Sequence, residues 1–76
     1  MNKERRKQLN EIAEQIGSLK DQLESLRDEE QDYYDNMPES FQGGEKGERA
    51  RTAIDSMDSA LDSLDDALSS IDEATE

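Results

Sequence analysis

Seventy-six residues, 30% hydrophobic and 4% aromatic, allow one domain over 1–76, whose apolar residues suffice for a thin seam and not for a thick core. A net charge of -12, from 21 acidic and 9 basic side chains, describes a surface that repels nucleic acid and anionic lipid. Such a surface attracts basic protein surfaces, including the channels in which other proteins hold DNA or RNA. The chain has no cysteine and no histidine, which excludes disulfides, thiolate metal sites and the commonest catalytic base.

The segment Met1 to Gln8 is charged, and no apolar run of signal-peptide or membrane-spanning length follows it. A soluble, cytoplasmic protein is therefore expected. From Leu9 onwards the apolar residues Leu9, Ile12, Ile16, Leu19, Leu23 and Leu26 keep alternating three- and four-residue spacing, and the pattern runs on through Glu30 to Tyr33 and Met37. This is a heptad seam with a positions at 9, 16, 23, 30 and 37 and d positions at 12, 19, 26 and 33. It predicts a first helix over about residues 3–36.

Pro38 disfavours helix at Met37, and Gly43 and Gly44 supply a turn over about 37–44. A second helix over about 45–74 follows, with Gly44 or Ser40 as its N-cap and Glu45 and Glu48 at the positive end of its dipole. Its seam is Ala50, Ile54, Met57, Leu61, Leu64, Leu68 and Ile71, and three heptads beginning at Ile54, Leu61 and Leu68 are copies of one another.

A short connection makes the helices antiparallel neighbours. One register pairs Tyr33 with Ala50, Leu26 with Met57, Leu19 with Leu64 and Ile12 with Ile71, and also Glu30 with Ile54, Leu23 with Leu61 and Ile16 with Leu68. The same register sets Arg27 by Asp58, Lys20 by Asp65 and Tyr34 by Arg51 along the e flank. The expected fold is thus an all-α, two-helix antiparallel coiled-coil hairpin. Along the g flank Gln8, Gln15, Gln22 and Glu29 face Ala53, Ala60, Ala67 and Ala74. These alanines either reflect helix propensity or form a low-profile surface for self-association into a four-helix bundle.

Carboxylates at helical spacing, such as Glu11 with Glu14, or Asp62 with Asp65 and Asp66, invite comparison with the magnesium ligands of helical nucleotide hydrolases. The register turns Glu11, Glu14, Asp55, Asp62 and Asp66 away from the seam, so no metal site is expected, and neither acidic run has the pattern of a calcium loop. Ser56, Ser63 and Ser70 lie at outer positions without a base to activate them. No catalytic residue and no cofactor are assigned. Glu30 occupies an a position, where Arg27 or Arg51 would relieve it or the seam would open.

The segment Asp28 to Gln42 holds all the aromatic residues, Tyr33, Tyr34 and Phe41, together with Met37 and six carboxylates. Tyr33, Met37 and Phe41 are expected to plug the closed end of the hairpin. Tyr34, off the seam and beside Asp32, Asp35 and Glu39, reads as an interface residue for a basic partner. The basic cluster Lys3, Arg5, Arg6 and Lys7 is expected to be neutralised by Asp72, Glu73 and Glu76, and it lacks aromatic residues for base stacking.

The run DEEQDYYDNMPESFQGGEKGERA, followed by AIDSMDSALDSLDDALSSIDEA, resembles a group of short acidic helical-hairpin proteins, themselves uncharacterised, encoded by bacteria, prophages and phages. The resemblance implies a hairpin from a mobile element and carries no activity. Two functions are expected from the residues. The first is a protein-interaction module, a phage inhibitor that mimics nucleic-acid charge against a host nuclease or CRISPR effector. It would act through Tyr34, Asp32, Asp35, Glu39, Phe41, Asp55, Asp62 and Asp66. The alternative is a structural coiled coil that self-assembles through Ala53, Ala60, Ala67 and Ala74, with acidity serving solubility.

Overall fold

The computed structural model describes all residues from Met1 to Glu76. It contains α1 (Lys3–Asp35), α2 (Glu39–Gln42) and α3 (Glu45–Ala74), without strands. The long helices α1 and α3 pack together as an antiparallel pair in a body of 58 × 15 × 12 Å. No helix is long and apolar enough to cross a membrane.

Several of the helix ends are closed by specific groups, which satisfy terminal amides and carbonyls left unpaired by the helix. Asn2 caps α1, its Oδ1 accepting from the Arg5 amide at 2.8 Å. At the other end of α1 the Asn36 amide donates to the Asp32 carbonyl. Gln42 then reaches back, its Nε2 donating to the Tyr34 carbonyl at 3.0 Å. The single-turn helix α2 follows Pro38, whose carbonyl accepts from the Phe41 and Gln42 amides. This turn of helix lies where the sequence suggested only a loop. Gly44 is the N-cap of α3 and offers no side-chain acceptor, so the first turn relies on its carbonyl, which accepts from the Glu48 amide. At the C-terminal end Thr75 donates its hydroxyl to the Asp72 carbonyl at 3.0 Å.

The core sits at the turn end, where Gly47, Ala50 and Ile54 are the buried residues of the whole chain. Gly47 is there for close approach and not for unusual torsion angles, since no residue has positive φ. A Cβ on it would stand 2.6 Å from the Gln42 Cα and 2.5 Å from the Gln42 carbonyl carbon, nearer still to the oxygen. Away from the turn the contact thins to half-buried residues: Leu61, Leu64, Leu68 and Ile71 on α3 face Leu9, Ala13, Ile16 and Leu23 on α1.

The rotation of α1 about its axis corrects the expected seam. Its covered stripe consists of a positions, Leu9, Ile16, Leu23, Glu30 and Met37, together with e positions, Ala13, Lys20, Arg27 and Tyr34. The d positions expected to close the seam, Ile12, Leu19, Leu26 and Tyr33, are instead 45% to 57% exposed. Two helices touch along a single line, and the e flank supplies it with partners that the d row lacks. Lys20 and Arg27 lay their aliphatic stems over the contact and carry their charges to Asp65 and Asp58.

Candidate functional site

The hairpin offers three surfaces of different chemistry: a charged e flank, a g flank on which Glu29 is the one charged residue, and the turn end. On the e flank Arg27 Nε donates to Asp58 Oδ1 at 2.8 Å, and Arg27 also lies 3.6 Å from Asp28. Lys20 pairs with Asp65. Hydrogen bonding to these carboxylates outweighs partial desolvation, so the Lys20 and Arg27 pKa values are both raised. The Arg27–Asp58 and Lys20–Asp65 pairs and the Arg51–Tyr34 contact are the ones that the antiparallel register specifies.

Tyr34 is half-buried, with the Arg51 guanidinium 5.9 Å from its ring centroid, a cation–π geometry that ties the start of α3 to the end of α1. Together with Arg27, Gln31, Ile54, Asp55 and Asp58 it lines a shallow depression of about 260 Å³. The structure thus brings Tyr34 and Asp55 to one place. Asp62 and Asp66 are exposed one helical turn apart further along α3. Asp32, Asp35 and Glu39 are exposed on the turn segment, with Gln31 Nε2 donating to Asp35 Oδ1 at 3.0 Å. No three carboxylates converge in a geometry that could hold a metal ion.

At the turn, Tyr33 and Tyr34 exchange the burial expected of them. Tyr33 is 52% exposed and Phe41 51%, so neither plugs the hairpin, while Met37 is half-buried. Rotation of α1 towards its e side turns Tyr34 inward and Tyr33 out. Tyr33, Met37, Pro38 and Phe41 form an open apolar dish of about 410 Å³, completed by Asn36 and Lys46. Lys46 Nζ lies 5.5 Å from the Phe41 ring centroid, which places a positive charge at the rim of the dish. Lys46 was not singled out by the sequence pattern; its position five residues after Phe41, across a glycine turn, is the only local signal.

On the g flank Ala53 and Ala67 are half-buried and Ala60 and Ala74 exposed. Beside them runs the open row Ile12, Leu19, Leu26 and Tyr33. That row was hidden from the heptad reading, which assigns every d residue to the seam. Its signal is the neutrality of its middle borders, Gln15, Ser18, Gln22 and Ser25, in a chain that is 39% charged.

At Glu30 the alternative of relief by an arginine fails, and at the N-terminus an expectation is corrected. Glu30 is half-buried, yet no lysine or arginine comes within ion-pair distance of it. The pairings made by Arg27 and Arg51 go to Asp58, Asp28 and Tyr34. Lys3, Arg5, Arg6 and Lys7 are all exposed and form no ion pair with Asp72, Glu73 or Glu76, because residues 72–76 turn their carboxylates to solvent. No family model, no curated protein and no solved structure matches the chain.

Proposed function

We propose that this protein is a binding module without catalytic activity, which docks its acidic outer surface onto the basic surface of another protein and competes there with nucleic acid. The observation that carries this reading is the course of α3. After Arg51 no positive charge follows for some 35 Å of helix at 1.5 Å per residue, while Asp55, Asp62 and Asp66 stand exposed along it. A rod of fixed carboxylates repels DNA and RNA and suits the channels that bind them. The exposed Asp32, Asp35 and Glu39, with the exposed Phe41 among them and the half-buried Tyr34 beside them, extend the acidic surface around the turn and add aromatic contact area. A nuclease or CRISPR effector of the bacterial host is the partner class that fits an inhibitor from a mobile element, and the cytoplasm is where the two would meet.

Titration onto such a nuclease, with a labelled oligonucleotide as competitor, tests the reading. Binding should weaken by at least tenfold between low and moderate salt, as it does for ligands that neutralise several charges. The triple variant Asp55→Asn, Asp62→Asn, Asp66→Asn should lose most of the competition. Binding that ignores both salt and the variant would exclude charge mimicry.

A second reading is favoured by a different observation, the alanine flank with its open apolar row. In that reading the hairpin is a structural coiled coil that self-associates through Ala53, Ala60, Ala67 and Ala74 into a four-helix bundle, and Ala60→Glu or Ala67→Glu dissociates it.

A further inference from the structure

We infer that a second copy of this chain covers the row Ile12, Leu19, Leu26 and Tyr33, with α1 lying antiparallel against α1 of the partner about a two-fold axis near Gln22 and Leu23. This deepens the self-association reading by stating which helices meet, in which direction, and what selects that direction.

The row spans about 32 Å of α1 at 1.5 Å per residue. All four side chains are at least 45% exposed, more apolar length than a stable monomer usually leaves in one line. Copies of a chain with a net charge of -12 repel one another wherever carboxylates face carboxylates. The side of the hairpin that carries the row is where that repulsion is least. Gln15, Ser18, Gln22 and Ser25 border its middle on α1, with Glu11, Glu29 and Asp32 confined to its ends, and Ala60, Ser63 and Ala67 continue it on α3. The acids of α3 from Asp55 onwards fall on the other faces.

A two-fold axis demands that the surface be complementary to itself. Even seven-residue spacing meets that demand. An axis between Gln22 and Leu23 sets Leu19 against the partner's Leu26 and Ile12 against the partner's Tyr33, and each pairing occurs twice. The corresponding level of α3 is Leu61, which places Ala60 beside the axis and so near the partner's Ala60, where small side chains permit close approach.

Charge decides the direction. Residues 1–20 carry five basic and three acidic groups, whereas residues 21–48 carry two and ten. A parallel arrangement would stack both acidic segments at one end. The antiparallel arrangement separates them and sets each beside the partner's basic N-terminal segment. Arg5 continues the exposed row by one heptad and, with Arg6, lies at the level of the partner's acidic turn segment. Lys3, Arg5, Arg6 and Lys7 make no ion pair within the hairpin, so a second copy supplies counterions that the monomer does not.

The test uses the full chain. Sedimentation equilibrium at about 100 µM should give a dimer, and Leu19→Glu should raise its dissociation constant at least tenfold. Because the chain has no cysteine, a single engineered thiol reports the geometry without depending on the folding of a charged variant. Under mild oxidation Gln22→Cys, beside the axis, should cross-link to a covalent dimer, and Gln8→Cys, far from its own symmetry mate, should not. A dimer that cross-links through Gln8→Cys, or fails to cross-link through Gln22→Cys, would overturn this arrangement while leaving self-association standing. A monomer throughout, or a dimer indifferent to Leu19→Glu, would overturn the proposal altogether.

Discussion

The two ends of this hairpin are built from the same heptads yet differ in how much they bury. At the closed end Gly47, Ala50 and Ile54 are buried, with α2 packed on α3 as a third element. At the open end Leu9, Ala13, Leu68 and Ile71 remain half-buried, and a depression of about 360 Å³ lies among Asn10, Ala13, Leu68 and Asp72. A pair of helices shares one line of contact, and full burial requires something on a further side. At the closed end α2 and the Gln42 backbone provide it, and the small residues Gly47 and Ala50 let them come close. Nothing comparable reaches the open end, so stability should decline from the turn towards the termini.

The largest break in this gradient should come from Gly47→Val. The added carbons would collide with the Gln42 backbone, which is held by its own bonds to Pro38. A loss of about 4 kcal/mol or more is expected, near the whole stability of a domain this small, read as loss of the cooperative urea transition. Truncations along α3 sharpen the comparison. Ile54→Ala at the closed end should cost about 2 to 4 kcal/mol and Leu68→Ala at the open end about 1 kcal/mol, since the second site is already partly wet. Equal losses in chemical denaturation would show that burial is uniform and the gradient wrong. Gly17→Ala works in the opposite sense. Gly17 lies inside α1 with open space where its Cβ would be, so the substitution should raise stability by about 0.5 to 1 kcal/mol through helix propensity alone. A lower melting temperature would mean that something does approach that face.

The smallest effect concerns pH. Hydrogen bonding to Asp65 raises the Lys20 pKa above 10.5, so the folded state binds this proton more firmly than the unfolded one. The resulting stabilisation is fully present below about pH 10.5 and is lost as pH rises through the higher folded value. Lys20→Gln should flatten the alkaline arm of the pH–stability curve; an unchanged curve would show that the pair contributes nothing.

Much of this architecture is legible in the residues alone. Spacing of three and four from Leu9 to Leu26, and the repeated heptads from Ile54, announce two long helices, and the pairings Lys20–Asp65, Arg27–Asp58 and Arg51–Tyr34 follow from one antiparallel register. The acidic outer surface was equally plain, because residues kept off the apolar stripe have nowhere else to point. The open row Ile12, Leu19, Leu26 and Tyr33, the exchange between Tyr33 and Tyr34, and the dish under Lys46 were not.

A heptad determines the period of a helix and the relative register of two helices, since both are properties of spacing along the chain. It does not determine the phase, the angle to which each helix rotates about its own axis. Phase depends on which neighbours are present and which side chains compensate each other across the contact. With two long helices and a single turn of α2, the e flank offered α1 ion pairs and a cation–π contact, and the d row turned outward. Only tertiary packing could decide that, and likewise that Gly47 stands against the Gln42 backbone, because both are set by groups distant from one another in sequence or across a turn.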